Sequence, residues 1–144
     1  MSTSIDDLDP SAVAAARSFV AALGAAGVPY AVTCTRRTID EQIAYFAQGR
    51  APLEIVNLLR RKAGMRAIGL GENTYTITKC DGVTSRSKHQ DGRAMDVVPL
   101  AMGVPVWPPP ADPRWKEIAV IGKAAGWKWG GDWQNFPDFP HYEL

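Results

Sequence analysis

The chain has 144 residues and a mass of 15.6 kDa, the size of one domain. Hydrophobic residues make up 46% and charged residues 22%, and sixteen basic against fifteen acidic side chains leave +1; this excludes a disordered tail and a nucleic-acid module that works by bulk charge. No apolar run approaches the ~20 residues that span a bilayer, and surface scaling buries about two-thirds of the unfolded chain's area, enough for a core without metal or disulfide staples.

Residues 1–8 read as a short mobile lead-in. The start, MSTSIDDLDP, is acidic and polar where a secretory signal peptide is basic and then apolar, so the sequence predicts a product made in the cytoplasm with no export address. Asp9-Pro10 opens a helix, with Asp as cap and Pro at the first helical position. That helix, SAVAAARSFVAALGAAG, carries Val13, Phe19, Val20 and Leu23 on one apolar side and stops at Gly24 or Gly27. Val28 to Thr35 is a strand. Thr38 to Gln48 is a helix, Thr38 and Glu41 forming a capping box. Pro52 starts another helix that stops at Gly64, and its Arg60-Arg61-Lys62 run is read as a solvated face.

Met65 to Asn73 is Gly-rich and irregular. Thr74 to Lys79 alternates like a strand, and Asp81-Gly82 marks a turn. Residues 83–93 are a polar, basic loop. Ala94 to Leu100 is an apolar strand with one acid, Asp96, inside it. Val104 to Pro113, with five prolines, is an extended loop. Arg114 to Ala125 is a helix ended by Gly126. Trp127 to Trp133 alternates aromatic and small residues, Asp132 being an exposed turn acid, and the tail FPDFPHYEL ends in a short strand. Strands and helices mix without regular βαβ alternation, so the fold class is α+β, as a single domain over 1–144 without linker or repeat.

Cys34 and Cys80 are too few for a disulfide scaffold and lack C-x2-C zinc spacing, so they read as buried free thiols, with a Cys34–Cys80 bridge left open. The chain has two histidines, His89 and His141. Each alone is as readily a hydrogen-bonded structural residue as a ligand. Asp96 tips the balance, because a carboxylate in an apolar strand needs a cation or a metal as partner. Two imidazoles and a carboxylate suffice for a catalytic zinc with one position left open to water.

The segment Ser87-Lys88-His89-Gln90-Asp91-Gly92-Arg93-Ala94-Met95-Asp96 resembles the S-x-H-x-x-G-x-A-x-D motif of the VanY-like, D-Ala-D-Ala carboxypeptidase family of zinc peptidases. Asp138-Phe139-Pro140-His141 resembles that family's second motif, an acid three residues before the last histidine. Trp129-Gly130-Gly131-Asp132-Trp133, and Arg37-Thr38 with Gln42 and Gln48-Gly49-Arg50, are similar to segments of its phage endolysin branch, the L-alanyl-D-glutamate endopeptidases. The likeness runs from about Tyr30 to the C-terminus.

The resemblance implies a small, mainly antiparallel sheet with flanking helices, and one zinc ion held by His89, Asp96 and His141. It implies Asp138 as general base, one methylene shorter than the Glu of many relatives. Arg37, chosen over Arg36 by its register with Thr38 and Gln42, would stabilise the oxyanion. Gln42 would lie on the substrate side, Ser87 would order the motif loop, Gly92 would let it turn, and Trp129 would stand at the cleft edge. The function implied is peptidoglycan cleavage between L-Ala and D-Glu by a phage lysis enzyme. It would wait as a monomer in the host cytoplasm, without a wall-binding domain, and reach the wall once a holin-type membrane protein opens the way, with no nucleic-acid partner. A D,D-carboxypeptidase or dipeptidase and a non-enzymatic zinc-stabilised binding module are the alternatives.

Overall fold

Helix α1 spans Pro10–Ala25 in the computed structural model, which describes residues 1–144. Asp9 caps it by accepting from Ser11 N, and Gly27, with φ 67°, turns the chain out of it. Ala12, Ala16, Phe19 and Leu23 fall on one stripe and are buried. The segment before α1 is ordered, contrary to expectation. Ile5–Asp7 forms a 3-10 turn and Leu8 is buried in the core just ahead of the cap, while Ser2 exchanges backbone hydrogen bonds with Thr35 and Arg36. An apolar residue before an N-cap has a helix face to pack on, which composition alone does not reveal.

Strand β1 (Tyr30–Cys34) leads to α2 (Ile39–Ala47), whose Thr38–Glu41 capping box forms as predicted, and to α3 (Leu53–Lys62), which packs on α2. Strand β2 (Ala94–Ala101) turns at Met102-Gly103 into the two-residue β3 (Val104–Pro105), a hairpin that the proline count had masked as loop. Helix α4 (Pro113–Ala124), β4 (Lys128–Trp129) and β5 (His141–Glu143) complete the chain. The sheet order is β1-β2-β5-β4, with β3 also on β2, and every pairing is antiparallel.

Helices α1 and α4 cover one face of this sheet. Phe19, Leu23, Met95, Val97, Trp115, Ile118 and Tyr142 meet there as the core. Strand alternation sends Asp96, between Met95 and Val97, the other way. The folded area is 7793 Å², close to the roughly 7,200 Å² that size scaling predicts.

Two further expectations are corrected. Thr74–Lys79 is not a strand: Glu72–Thr74 is a 3-10 turn and residues 75–80 form an extended strap. It pairs with no strand, and side chains take some of its backbone groups instead. Arg50 Nη2 donates to Thr78 O, and Gln42 Nε2 to Cys80 O. Arg60 is buried, not solvated. Its Nε donates to Arg66 O at 2.7 Å and its Nη1 to Gln48 Oε1, which ties α3 to the loop that follows it. Arg61 and Lys62 do face solvent.

Candidate metal centre and cleft

The register of three strands assembles the site. Asp96 on β2 stands opposite His141 on β5 and opposite Cys34 on β1. The β1–β2 register slips between Val32 and Cys34, leaving one extra residue on β1 that re-aims Cys34. His89 comes from the loop before β2. Ser87 Oγ accepts from His89 N, Ser87 N donates to Gln90 Oε1, and Gln90 Nε2 donates to Gly82 O. Gly92 then turns the backbone at φ 69°, where a Cβ would lie 2.6 Å from Asp9 N. A bulky residue is excluded there twice over, by dihedral and by space.

Three donor atoms converge. His89 Nε2 is 3.1 Å from Asp96 Oδ1 and 3.2 Å from His141 Nδ1, and His141 Nδ1 is 3.5 Å from Asp96 Oδ1. Tetrahedral coordination at 2.0–2.1 Å requires donor–donor edges of about 3.3–3.4 Å. The edges of the triangle bracket that value, so a zinc ion would fit it.

The far nitrogen of each imidazole is also committed. His89 Nδ1 lies 2.8 Å from Thr35 O, and His141 Nε2 lies 3.0 Å from Glu143 Oε2. Once a metal replaces the protons between them, each of these contacts would fix the tautomer that leaves a lone pair pointing into the triangle. Cys34 Sγ can join a metal-holding group with His89 and Asp96, all donors within 4.8 Å. It meets His89 at Nδ1, however, 3.5 Å away, on the side of the ring that Thr35 O occupies. Both cysteines are free thiols, but only Cys34 is buried as expected; Cys80 lies half-buried in the strap of residues 75–80.

Charges in this cluster are strongly coupled. Burial works against the Asp96 carboxylate, yet His89, His141 and Arg37 hold it well below the usual range. Burial likewise disfavours the charged His89 ring, but Asp96 and Cys34 outweigh it and lift its pKa to about 10. His141 is also raised, against its burial, by Asp96 and Glu143. Asp138 is pushed up to about 6, first by burial and then by the Asp96 charge. The metal-free cluster is thus held together by protons that a dication would replace.

Arg37 reaches the site and Arg36 does not. Arg37 Nη2 donates to Asp96 Oδ2 and Nη1 to Gln42 Oε1, both at 3.3 Å, with the guanidinium 4.8 Å over the Tyr45 ring. Arg36 is exposed. Gln42 is anchored in turn by donating to Thr78 Oγ1 and Cys80 O. The site opens into a cleft of 740 Å³ whose lining includes Arg37, His89, Asp96, Asp138 and His141 but not Gln42, which is fully buried behind Arg37 and not on the substrate side.

Trp129 is not at its edge. It is 6% exposed, inside the core, and its Nε1 donates to Phe139 O. Its place on β4, paired with core Tyr142, turns it inward. Trp107 and Trp133, 62% and 38% exposed, line the cleft instead. Asp132 is an exposed acid paired with Lys123. Glu143 and Tyr45 were missed by sequence reasoning. The i, i+2 spacing of His141 and Glu143 in a strand, which puts both on one face, was the available signal for Glu143.

A family model described as D-alanyl-D-alanine carboxypeptidase matches residues 81–144. The chain is 28% identical over 139 residues to the peptidoglycan L-alanyl-D-glutamate endopeptidase CwlK of Bacillus subtilis (strain 168), covering 96% of this chain and 74% of that protein. It is 39% identical over 62 residues to the L-alanyl-D-glutamate peptidase of Listeria phage A118, covering 42% of this chain and 22% of that one. Among solved structures, the L-Ala D-Glu endopeptidase ChiX of Serratia marcescens superposes over 97% of this chain and 82% of its own, with a TM-score of 0.58 and 24% identity. The LD-carboxypeptidase LdcB superposes over 95% of this chain and 58% of its own, also at 0.58, with 17% identity. These two share the fold.

Proposed function

We propose that this chain, whose residues 81–144 match the D-alanyl-D-alanine carboxypeptidase family model, is a zinc-dependent endopeptidase that hydrolyses the L-Ala–D-Glu bond of peptidoglycan stem peptides. The observation that carries the reading is the donor triangle of His89, Asp96 and His141, with its edges of 3.1–3.5 Å and an acid of raised pKa beside it. The bond is inferred from two relatives named for it.

When bound, zinc supplies a Lewis acid that polarises the scissile carbonyl and makes a water molecule acidic near neutral pH. The chain's own groups do the rest. His89, Asp96 and His141 hold the ion through lone pairs aimed by Thr35 O and Glu143. Asp138 takes a proton from the attacking water at its carboxylate and returns it to the leaving D-Glu amine as the C–N bond breaks. Arg37 donates to the developing oxyanion, its guanidinium aimed by Gln42 and Tyr45.

Digestion of purified peptidoglycan with and without a chelator, with products read by mass spectrometry, tests this. The expected result is metal-dependent release of fragments that begin with a D-Glu amine. Intact stem peptides in the presence of zinc would overturn it. The family model's description favours one second reading, cleavage at D-Ala-D-Ala, which would release free D-Ala instead. A role in phage lysis, as a monomer released to the wall by a holin-type protein, is part of the proposal. The phage relative supports it, and no helix is long and apolar enough to cross a membrane.

A further inference from the structure

We infer that Lys88, assisted by Lys79, reads the free α-carboxylate of the D-Glu residue, so that the cleft selects stem peptides in which this group is acidic rather than amidated. The inference rests on the endopeptidase reading above.

Four cationic side chains line the cleft: Arg37, Lys79, Arg86 and Lys88. Two are already committed, Arg37 to Asp96 and Arg86 to Asp91. Lys88 has neither an ion pair nor a side-chain hydrogen bond, and Lys79 has only the Phe136 ring, 5.0 Å from its Nζ. Phe136 is itself held at φ 59°, a conformation rare for a bulky residue and typical of ligand clamps. Lys88 has a fixed backbone. It sits between Ser87 and His89 in a turn closed by Ser87 N to Gln90 Oε1, and its own carbonyl accepts from Arg93 N. Two cations are thus left for a ligand: Glu143 feels the Lys88 charge but is hydrogen-bonded to His141, and Asp96 and Asp138 are taken up by the histidines, Arg37 and the chemistry.

The substrate supplies the matching charge. In a stem peptide D-Glu continues the chain through its γ-carboxyl, so its α-carboxylate is carried on the same carbon as the scissile amide nitrogen. A scissile carbonyl set at the donor triangle therefore keeps that carboxylate close to the reacting bond, and the motif loop of Ser87, Lys88 and His89 is one wall of that space. Lys88 is the uncommitted cation of that loop, adjacent in sequence to His89. A carboxylate entering the cleft without a cation would lose hydration uncompensated, whereas an amide gains no charge pairing from the two exposed lysines, which stay hydrated.

The test compares two synthetic stem peptides that differ only in an α-carboxylate or α-carboxamide on D-Glu, using the zinc-loaded full chain. Wild type should cut the acid at least about 10-fold better in kcat/KM, since a hydrogen bond to a charged group is worth about that much or more. K88Q should lose about 10-fold on the acid, mainly through KM, with little change on the amide. K79Q should lose less, K88R should restore most of the discrimination, and K116Q, on the solvent face of α4, should behave as wild type. The acidic cleavage product should inhibit wild type more strongly than K88Q. Equal cutting of acid and amide by wild type, or a K88Q protein that keeps full discrimination, would overturn this inference and leave the endopeptidase reading standing. Failure of wild type to cut either peptide would overturn both.

Discussion

Burial and the Asp96 charge keep the Asp138 carboxyl protonated up to about pH 6, which makes this residue a cost to the metal-free fold. Its folded pKa lies above the ordinary 3.8, so the unfolded chain releases its proton first and stability falls as pH rises from about 4 to 6. An Asp138→Asn protein should therefore be more stable than wild type when both are metal-free at pH 7, by at most about 3 kcal/mol. It should also lose about 10²–10⁴-fold in kcat. Chemical denaturation and peptide hydrolysis check the two halves; unchanged hydrolysis would remove Asp138 from the mechanism. In wild type the acidic limb of kcat/KM should fall at or below about pH 6, because a dication held nearby draws the carboxyl down again. Glu143 makes a different prediction. It holds His141 Nε2 at 3.0 Å, so Glu143→Gln should weaken zinc 10–100-fold, read by competition with a chromophoric chelator. Equal affinity would mean that the ring needs no such orientation.

The elements were read from the sequence where local chemistry decides them. Asp9-Pro10 and the Thr38–Glu41 box mark helix starts because the cap partners lie within three residues. The strand at Asp96 was visible because its apolar run is interrupted once. Thr74–Lys79 failed because alternation does not specify a pairing partner, and here Gln42 and Arg50 take backbone carbonyls of the strap instead. Trp129 failed for a related reason. An aromatic beside glycines looks exposed until β4 pairs with β5 and turns it into the core. The site residues His89, Asp96 and His141 were legible as motif positions, but the partners Thr35, Glu143 and Tyr45 depend on strand register and helix placement that no local pattern encodes. Gly130 shows how tightly one element sets another. A Cβ there would lie 2.4 Å from the Asp138 carbonyl. Gly130→Ala should push the 138–140 loop away and cut hydrolysis at least about 10-fold, since small misplacements of a reacting group are costly. A crystal structure of the variant with that loop unmoved would refute the account.

At the scale of the whole molecule, protons and metal compete for one buried cluster. In the metal-free protein His89 titrates near pH 10, against 6.5 in an unfolded chain. Its contribution to stability is thus complete below about pH 6.5 and is lost as pH rises through about 10. Metal binding removes the same protons, because the imidazoles must be neutral to ligate. Each proton displaced weakens zinc by about 1.4 kcal/mol for every pH unit lowered. At a free zinc level 100-fold above Kd, linkage stabilises the fold by about 2.7 kcal/mol, which for a chain of this length raises Tm by roughly 5–10 °C. The gap in Tm between zinc-loaded and chelator-treated protein should therefore widen steadily from pH 6 to pH 8.5 at fixed free zinc. Calorimetric titration of zinc in buffers of different ionisation enthalpy should show net proton release at pH 7. A pH-independent gap with no proton release would mean that the histidines are already neutral before metal arrives. Their coupling to Asp96 and Glu143 would then not be what holds the empty site together.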